Sequence, residues 1–568
     1  MAKKTKRFRL KIYLFTFIFF LSPLLAEKSL VEISADMILG NQIVKNVPTD
    51  GTPHILNILR NGNDLSKSHK NDLRELGFRF EKNSVSHLRN QRLSLSHETE
   101  HFLLHYEISG SDAVDTEDLD ADGIPDYVNQ VADVFTFVRT SLVDSMTYDP
   151  PPTDGMEGGS DKYDIYISNL PSQYYGLAYT TSGATDDNAC ASYIEIRNNY
   201  DASWFQDNTE LDNIKVTAAH EFYHAIQFGY DCSEEIWLME STAVWAEDQI
   251  YDEINDCYRY MNSWFNSPHK SLNDASNWYG SFIFFQYISE HLGGAETIHE
   301  MWNLAKSYGI QSSPNDIATI NDALLLQNSS FESALVSMSI ANRLMTSNPS
   351  AGIYTYEEAN DYPINSVPNS GTYLFSGEMV IERLPSVQDF SSRYFDIQTT
   401  EPLIVSHSGN TNEVEMNIIL SLNNGDVVVR KGPSVNIDPE IGIDWISAVV
   451  TATSSASSSY VFDLKLSQGY SEDFSATLIY PNPFTPSAKN AYASIDLLIT
   501  EAQRIQIEIY DLLGRKIQSW EKRFSEPQTE QYIWTGKNAK GNKVSSGIYF
   551  VRITGKEKII LQKVTVLR

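Results

Sequence analysis

Residues 220–224 read HEFYH, and no other stretch constrains the chain as strongly. If AAHEFYHAIQFGYD, residues 218–231, is helical, positions i and i+4 project from one face about one turn apart. His220 and His224 can then reach one ion while Glu221 sits beside it. That is the spacing of zinc hydrolases. Five residues also match by chance, so further residues have to decide the reading.

Zinc in a hydrolytic site takes a third protein ligand and keeps a fourth position open. The extended pattern H-E-x-x-H-x-x-G-x-x-H is excluded, because Gln227 and Tyr230 stand where it needs Gly and His. The other source is a glutamate on a following helix, and EIWLMESTAVWAED supplies one. Gly229 offers a helix stop, residues 230–235 a turn, and a second helix starts near Ile236. Glu240 then falls in its first full turn, whereas Glu247 lies about 10 Å further along the axis and reads as a supporting or surface acid.

The rest of the chain sets the context. At 568 residues it is too long for one core and implies several domains. A net charge of −31 repels phosphate backbones, so nucleic acid is excluded as a partner. Residues 1–26 have a basic start and a short apolar run, the layout of a secretory signal peptide with cleavage after Ala26. No later segment is apolar enough for a transmembrane span, so the mature chain is expected outside the cytoplasm. Cys190, Cys232 and Cys257 allow at most one internal disulfide, and the sequence does not say which pair forms it.

Residues 27–92 read as a propeptide or an N-terminal subdomain, with LSKSHKNDLREL as one short helix. Residues 93–350 have an α+β pattern, with helices expected over 212–228, 236–252, 279–291 and 295–307. Short alternating runs over 366–470 describe a β-sandwich, and residues 474–568 a second one. The loop DLDADGIPDYVN carries Asp118, Asp120, Asp122 and Asp126 around Gly123, an alternation of hard oxygens that suits a structural Ca2+ ion.

HEFYH followed by WLMESTAVWAED resembles the gluzincin clan of zinc metallopeptidases, in which H-E-x-x-H precedes a W-x-x-E-x-x-A helix. Residues 96–305, with DLDADGIPDYVNQVADVF and WYGSFIFFQYISEHLGG, also resemble a family of secreted bacterial metalloproteases. The resemblance implies a zincin-like α+β domain followed by two Ig-like β-sandwiches. It implies zinc on His220, His224 and Glu240, with Glu221 as general base and Tyr279 of NWYGSF as the candidate oxyanion donor. Ser241 departs from the Gly that many gluzincins carry after the ligand. The strand SYIEIR is a candidate edge for holding an extended peptide substrate.

YPNPF, IEIYDLLGRKI, SSGIYFVRI and the terminal KVTVLR resemble the type A sorting domain of the bacterial type IX secretion system. That implies the outer-membrane secretion machinery as a partner and a secreted or cell-surface location in a Gram-negative bacterium. The expected function is therefore a secreted zinc endopeptidase acting on protein or peptide. The alternative is a surface adhesin whose β-domains do the binding above a degenerate peptidase body.

Overall fold

The computed structural model describes residues 28–41, 50–89, 93–171, 173–181, 188–308, 316–409, 412–439, 442–469, 474–486, 492–500, 502–556 and 558–567. The signal-peptide reading of residues 1–26 lies outside them. The chain is multidomain, with an α/β region followed by β-sheet domains.

Residues 28–41 and 50–89 supply α1 (Leu30–Ile38), α2 (Thr52–Asn61) and α3 (Lys67–Glu75), then a hairpin of β1 (Phe78–Phe80) and β2 (Val85–His87). The sequence reading had one short helix here and missed two. α1 is closed by a reciprocal Ser29–Glu32 capping box and α2 has Pro53 in its first turn, so the start signals were present.

The central sheet contains β3 (Leu95–Glu98), β4 (Phe102–Tyr106), β5 (Tyr163–Ser168), β6 (Gly176–Thr180) and β7 (Ser192–Arg197), in spatial order β3-β4-β5-β7-β6. β4, β5 and β7 run parallel, with antiparallel β3 and β6 at the edges. SYIEIR is therefore interior, a correction to its reading as an edge, and the edge beside it is β6. A run of six buried positions in β7 reflects cover on both faces. Ile165, Ile167, Ile194 and Ile196 point into the main core, and Tyr166, Leu177, Tyr179 and Tyr193 point the other way, against α1–α3.

On the main-core face lie α4 (Asp126–Arg139), α5 (Glu210–Asp231) and α6 (Ile236–Ile250). α5 starts where Thr209 caps the Asp212 N–H, with Glu210 and Asp212 favourably placed at its positive end. It does not stop at Gly229 as the sequence suggested. A Cβ at that glycine would press on Pro152, so the residue serves close packing rather than termination. Cys190 and Cys232 form the disulfide, tying the end of α5 to the lead-in of β7, and Cys257 is a buried free thiol.

Helices α7 (Tyr258–Phe265), α8 (Phe282–His291), α9 (Ala295–Tyr308), α10 (Asp316–Leu326) and α11 (Phe331–Leu344) complete the body. Among the described residues no helix is long and apolar enough to cross a membrane. A sandwich follows, its five-stranded sheet centred on Ile443–Ala452 and its four-stranded sheet on Leu403–Gly409 and Phe462–Gln468. Residues from Phe474 to Val566 form a second sandwich of three and four strands around its own core.

Candidate metal centre

His220 and His224 occupy one face of α5, and their Nε2 atoms lie 3.0 Å apart. What turns both atoms the same way is held behind them. Gln227 donates through its amide nitrogen to the Met239 carbonyl and the Thr242 hydroxyl, at 2.9 Å each, so its oxygen can only accept. His224 Nδ1, 2.7 Å from that oxygen, must therefore be the donor. His220 Nδ1 likewise donates to the Glu247 carboxylate at 2.6 Å. With a cation bound, each ring would be neutral and present its Nε2 lone pair to a common point; without one, the surrounding carboxylates outweigh burial and favour the protonated rings, His220 well above its usual value and His224 up to about 9.

Glu240 of α6 meets that point from the other helix. Its oxygens lie 3.3 Å from His224 Nε2 and 3.5 Å from His220 Nε2. The carboxylate is fully buried, and neither oxygen has a hydrogen-bond partner. A buried carboxylate without a donor is costly unless a cation sits against it.

The remaining member was not expected. Asp50, from the turn before α2, places one carboxylate oxygen 3.6 Å from His220 Nε2 and 3.7 Å from His224 Nε2. Donor atoms 2.0–2.1 Å from one zinc ion in a tetrahedron stand roughly 3.3–3.4 Å apart. The separations of the two imidazoles from each other and from the carboxylates, 3.0 to 3.7 Å with Glu240 meeting each ring through a different oxygen, lie around that edge length, and one atom from each of the four residues lies within 4.8 Å of the rest, so the donor set can hold a zinc-sized cation. Asp50 left no mark in the sequence: PTDGTP reads as an ordinary turn, and 169 residues separate it from His220. Burial opposes ionisation of Asp50, but its two imidazole partners outweigh it and hold the carboxyl below its usual range.

Glu221 faces the same space without joining the converging donors. Burial, and after it the charge of Asp50, pushes its carboxyl well above the ordinary range. Edge strand β6 passes so close that a Cβ at Gly176 would stand 2.6 Å from a Glu221 oxygen. Tyr279, in a 3-10 turn leading into α8, donates its hydroxyl to the Asp50 backbone carbonyl at 3.3 Å and stacks on Tyr260. Burial raises its phenol well above its usual value, so it is a donor at neutral pH. Ser241 donates to the carbonyls of Trp237 and Trp278, fixing α6 to the turn that carries Tyr279. The structure thus gathers His220, Glu221, His224, Glu240 and Tyr279, and Glu247 stands behind His220.

At the acidic loop the structure brings together Asp118, Asp120 and Asp126, and Asp122 is not among them. The Asp122 carboxylate accepts the Ile124 N–H and the Asn129 amide.

Residues 71–349 match a family model described as a family of unknown function, DUF6055. Residues 478–567 match the secretion system C-terminal sorting domain. The chain is a type IX secretion cargo. It is accordingly a secreted or cell-surface protein of the Gram-negative Bacteroidetes, and its C-terminal sandwich engages the secretion machinery. No curated protein matches the chain.

Similar solved structures include PorZ, a surface component of the type IX secretion system of Porphyromonas gingivalis. It is 22% identical over 18% of this chain and 14% of that one, with a TM-score of 0.13. Dimeric latent PorU of the same organism is 15% identical over 33% and 20%, TM-score 0.17. A Bifidobacterium dentium β-glucuronidase is 10% identical over 31% and 38%, TM-score 0.14. The chain spans well under half of each, and likenesses at these scores carry no argument about fold or activity.

Proposed function

We propose that the chain is a secreted zinc-dependent endopeptidase. The observation that carries the reading is the convergence of two imidazole lone pairs and one partnerless buried carboxylate on a single point, each imidazole held from behind. His220, His224 and Glu240 would hold the ion. Zinc, when bound, supplies Lewis acidity toward a carbonyl oxygen and toward water. Glu221, as the carboxylate, takes a proton from the attacking water and passes it to the leaving amine, a role that suits a carboxylate beside the donor set that is not itself one of the converging donors. Tyr279 donates to the carbonyl oxygen of the scissile bond as charge develops on it. Edge strand β6 offers backbone hydrogen bonds to an extended peptide.

The same reading gives Asp118, Asp120 and Asp126 to a calcium ion that supports the start of α4. The test of function is zinc analysis combined with hydrolysis of a protein substrate by material collected outside the native host. Wild type is expected to contain one zinc per chain and to cleave. Glu221→Gln is expected to keep the metal and lose cleavage. Secreted protein without zinc, or cleavage that survives Glu221→Gln, would sink the proposal and favour the adhesin.

A further inference from the structure

Resting on that reading, we infer that the turn Asp50-Gly51-Thr52 occupies the peptidase cleft of its own chain, and that residues 28–89 hold the enzyme latent. Three contacts of this turn fall on three parts of the machinery. The Asp50 carboxylate fills the fourth corner of the donor set, the position a hydrolytic site keeps for water. The Asp50 backbone carbonyl accepts from the Tyr279 hydroxyl, as a scissile carbonyl would. The Thr52 hydroxyl donates to Glu221 at 3.1 Å, engaging the base itself.

The turn also lies along edge strand β6, where Thr52 Oγ1 accepts the Ala178 N–H at 2.8 Å. That donor is one an extended substrate would use. With the turn in place His220, Glu221, His224 and Glu240 are all buried, so no substrate reaches them.

The segment is built to dock rather than to merge. Its apolar residues, Val31, Ile38, Ile55, Ile58 and Leu73 among them, form a separate cluster against the outward-facing tyrosines of the sheet. Of the described residues 28–89, Leu56 alone belongs to the main core. Its other anchors are discrete polar contacts. Arg60 donates to the Cys232 and Glu234 carbonyls at 2.8 and 3.0 Å, His87 pairs with the Tyr193 hydroxyl at 2.5 Å, and Arg89 pairs with Asp154 and Asp164. Departure of the segment would open the cleft while leaving the main core closed.

The experiment uses the full-length chain purified before export, loaded with Co2+ as a spectroscopic substitute for zinc. Asp50→Ala is expected to change the visible Co2+ absorption, since a carboxylate leaves the ion. It should also speed removal of the ion by 1,10-phenanthroline, and raise hydrolysis of quenched-fluorescent casein by about tenfold or more. Thr52→Val keeps the carboxylate but removes the turn's hold on Glu221 and the β6 edge, so the turn should leave the cleft more often, raising hydrolysis by less than Asp50→Ala with a correspondingly smaller spectral change. It also covers the case in which Asp50→Ala fails to fold. Loss of the ion in Asp50→Ala would make Asp50 a permanent ligand and overturn the inference. Unchanged spectrum and hydrolysis in both variants would overturn it while leaving the peptidase reading to the Glu221→Gln test. A wild-type chain that takes up no Co2+ would defeat the two together.

Discussion

His224 Nδ1 lies 2.7 Å from the side-chain oxygen of Gln227, one turn further along α5. Because the Gln227 amide nitrogen is committed to Met239 and Thr242, the pair fixes both the tautomer and the ring angle of His224. Gln227→Leu removes the acceptor with little change of volume. Zinc affinity, measured by competition with a chromogenic chelator, should fall about 10- to 100-fold. An unchanged affinity would mean that His224 is oriented by packing alone.

Glu240 and Glu247 differ in what they touch, not in burial. Glu240→Ala should strip the metal, whereas Glu247→Gln, which leaves an acceptor for His220 Nδ1, should weaken binding by less than about tenfold. Metal analysis of the two purified variants checks this. Loss of zinc only on changing Glu247 would place the ion on the wrong side of His220.

Calcium should raise the melting temperature of wild type and leave the Asp120→Ala/Asp126→Ala variant unmoved. Asp122→Asn should respond like wild type, because its side chain serves the Ile124 N–H and Asn129. Equal calcium responses in all three would remove the site.

Stability should fall as pH rises from about 5 to 8, through buried acids outside the donor set. Burial pushes Glu234 up to about 8, and Asp248 and Glu290 each to about 7. A carboxyl with its pKa raised on folding binds more protons folded than unfolded. The stability it contributes is complete below the unfolded value and is lost as pH climbs to the folded one. Glu234→Gln should therefore lose less melting temperature over that range than wild type. An identical slope would mean that Glu234 ionises freely in the folded chain.

Breaking the Cys190–Cys232 bond closes no other cross-link among the described cysteines, since Cys257 is buried elsewhere. With the bonded pair 42 positions apart in the chain, a Cys190→Ser/Cys232→Ser variant should lose about 4 kcal/mol by chain entropy, read from urea unfolding. A loss below about 1 kcal/mol would show that the Cys190 and Cys232 backbone bonds to Phe228 and Asn188 already hold the junction.

Much of the site was legible because its chemistry is local. His220, Glu221 and His224 sit within one turn and a half of one helix, and Glu240 follows on the next, so spacing alone carries them. Asp50 was illegible for the opposite reason. Its carboxylate accepts one local bond, from the Thr52 N–H, but its place at the site is set by long-range contacts of a docked segment, and nothing in PTDGTP encodes those. The register of SYIEIR failed similarly, because six buried positions look alike whether a strand is central or terminal. Gly229 misled because a glycine needed for contact with Pro152 looks the same as one needed for a helix end. The sandwiches were readable from alternation, since one face of most of their strands meets solvent.

Phe390, Tyr394, Ile419 and Val449 belong to the first sandwich in sequence but to the main core in space, and Arg343 of α11 reaches across to Asp396 and the Ser447 hydroxyl. The last sandwich keeps a hydrophobic cluster of its own. A chain of this length therefore need not melt piece by piece. The first sandwich and the α/β body share their interior and should come apart in a single cooperative step, so that damage to one is felt throughout the other. The C-terminal sandwich, tied to its neighbour's core through Leu498 but closed around an interior of its own, should melt as a separate unit.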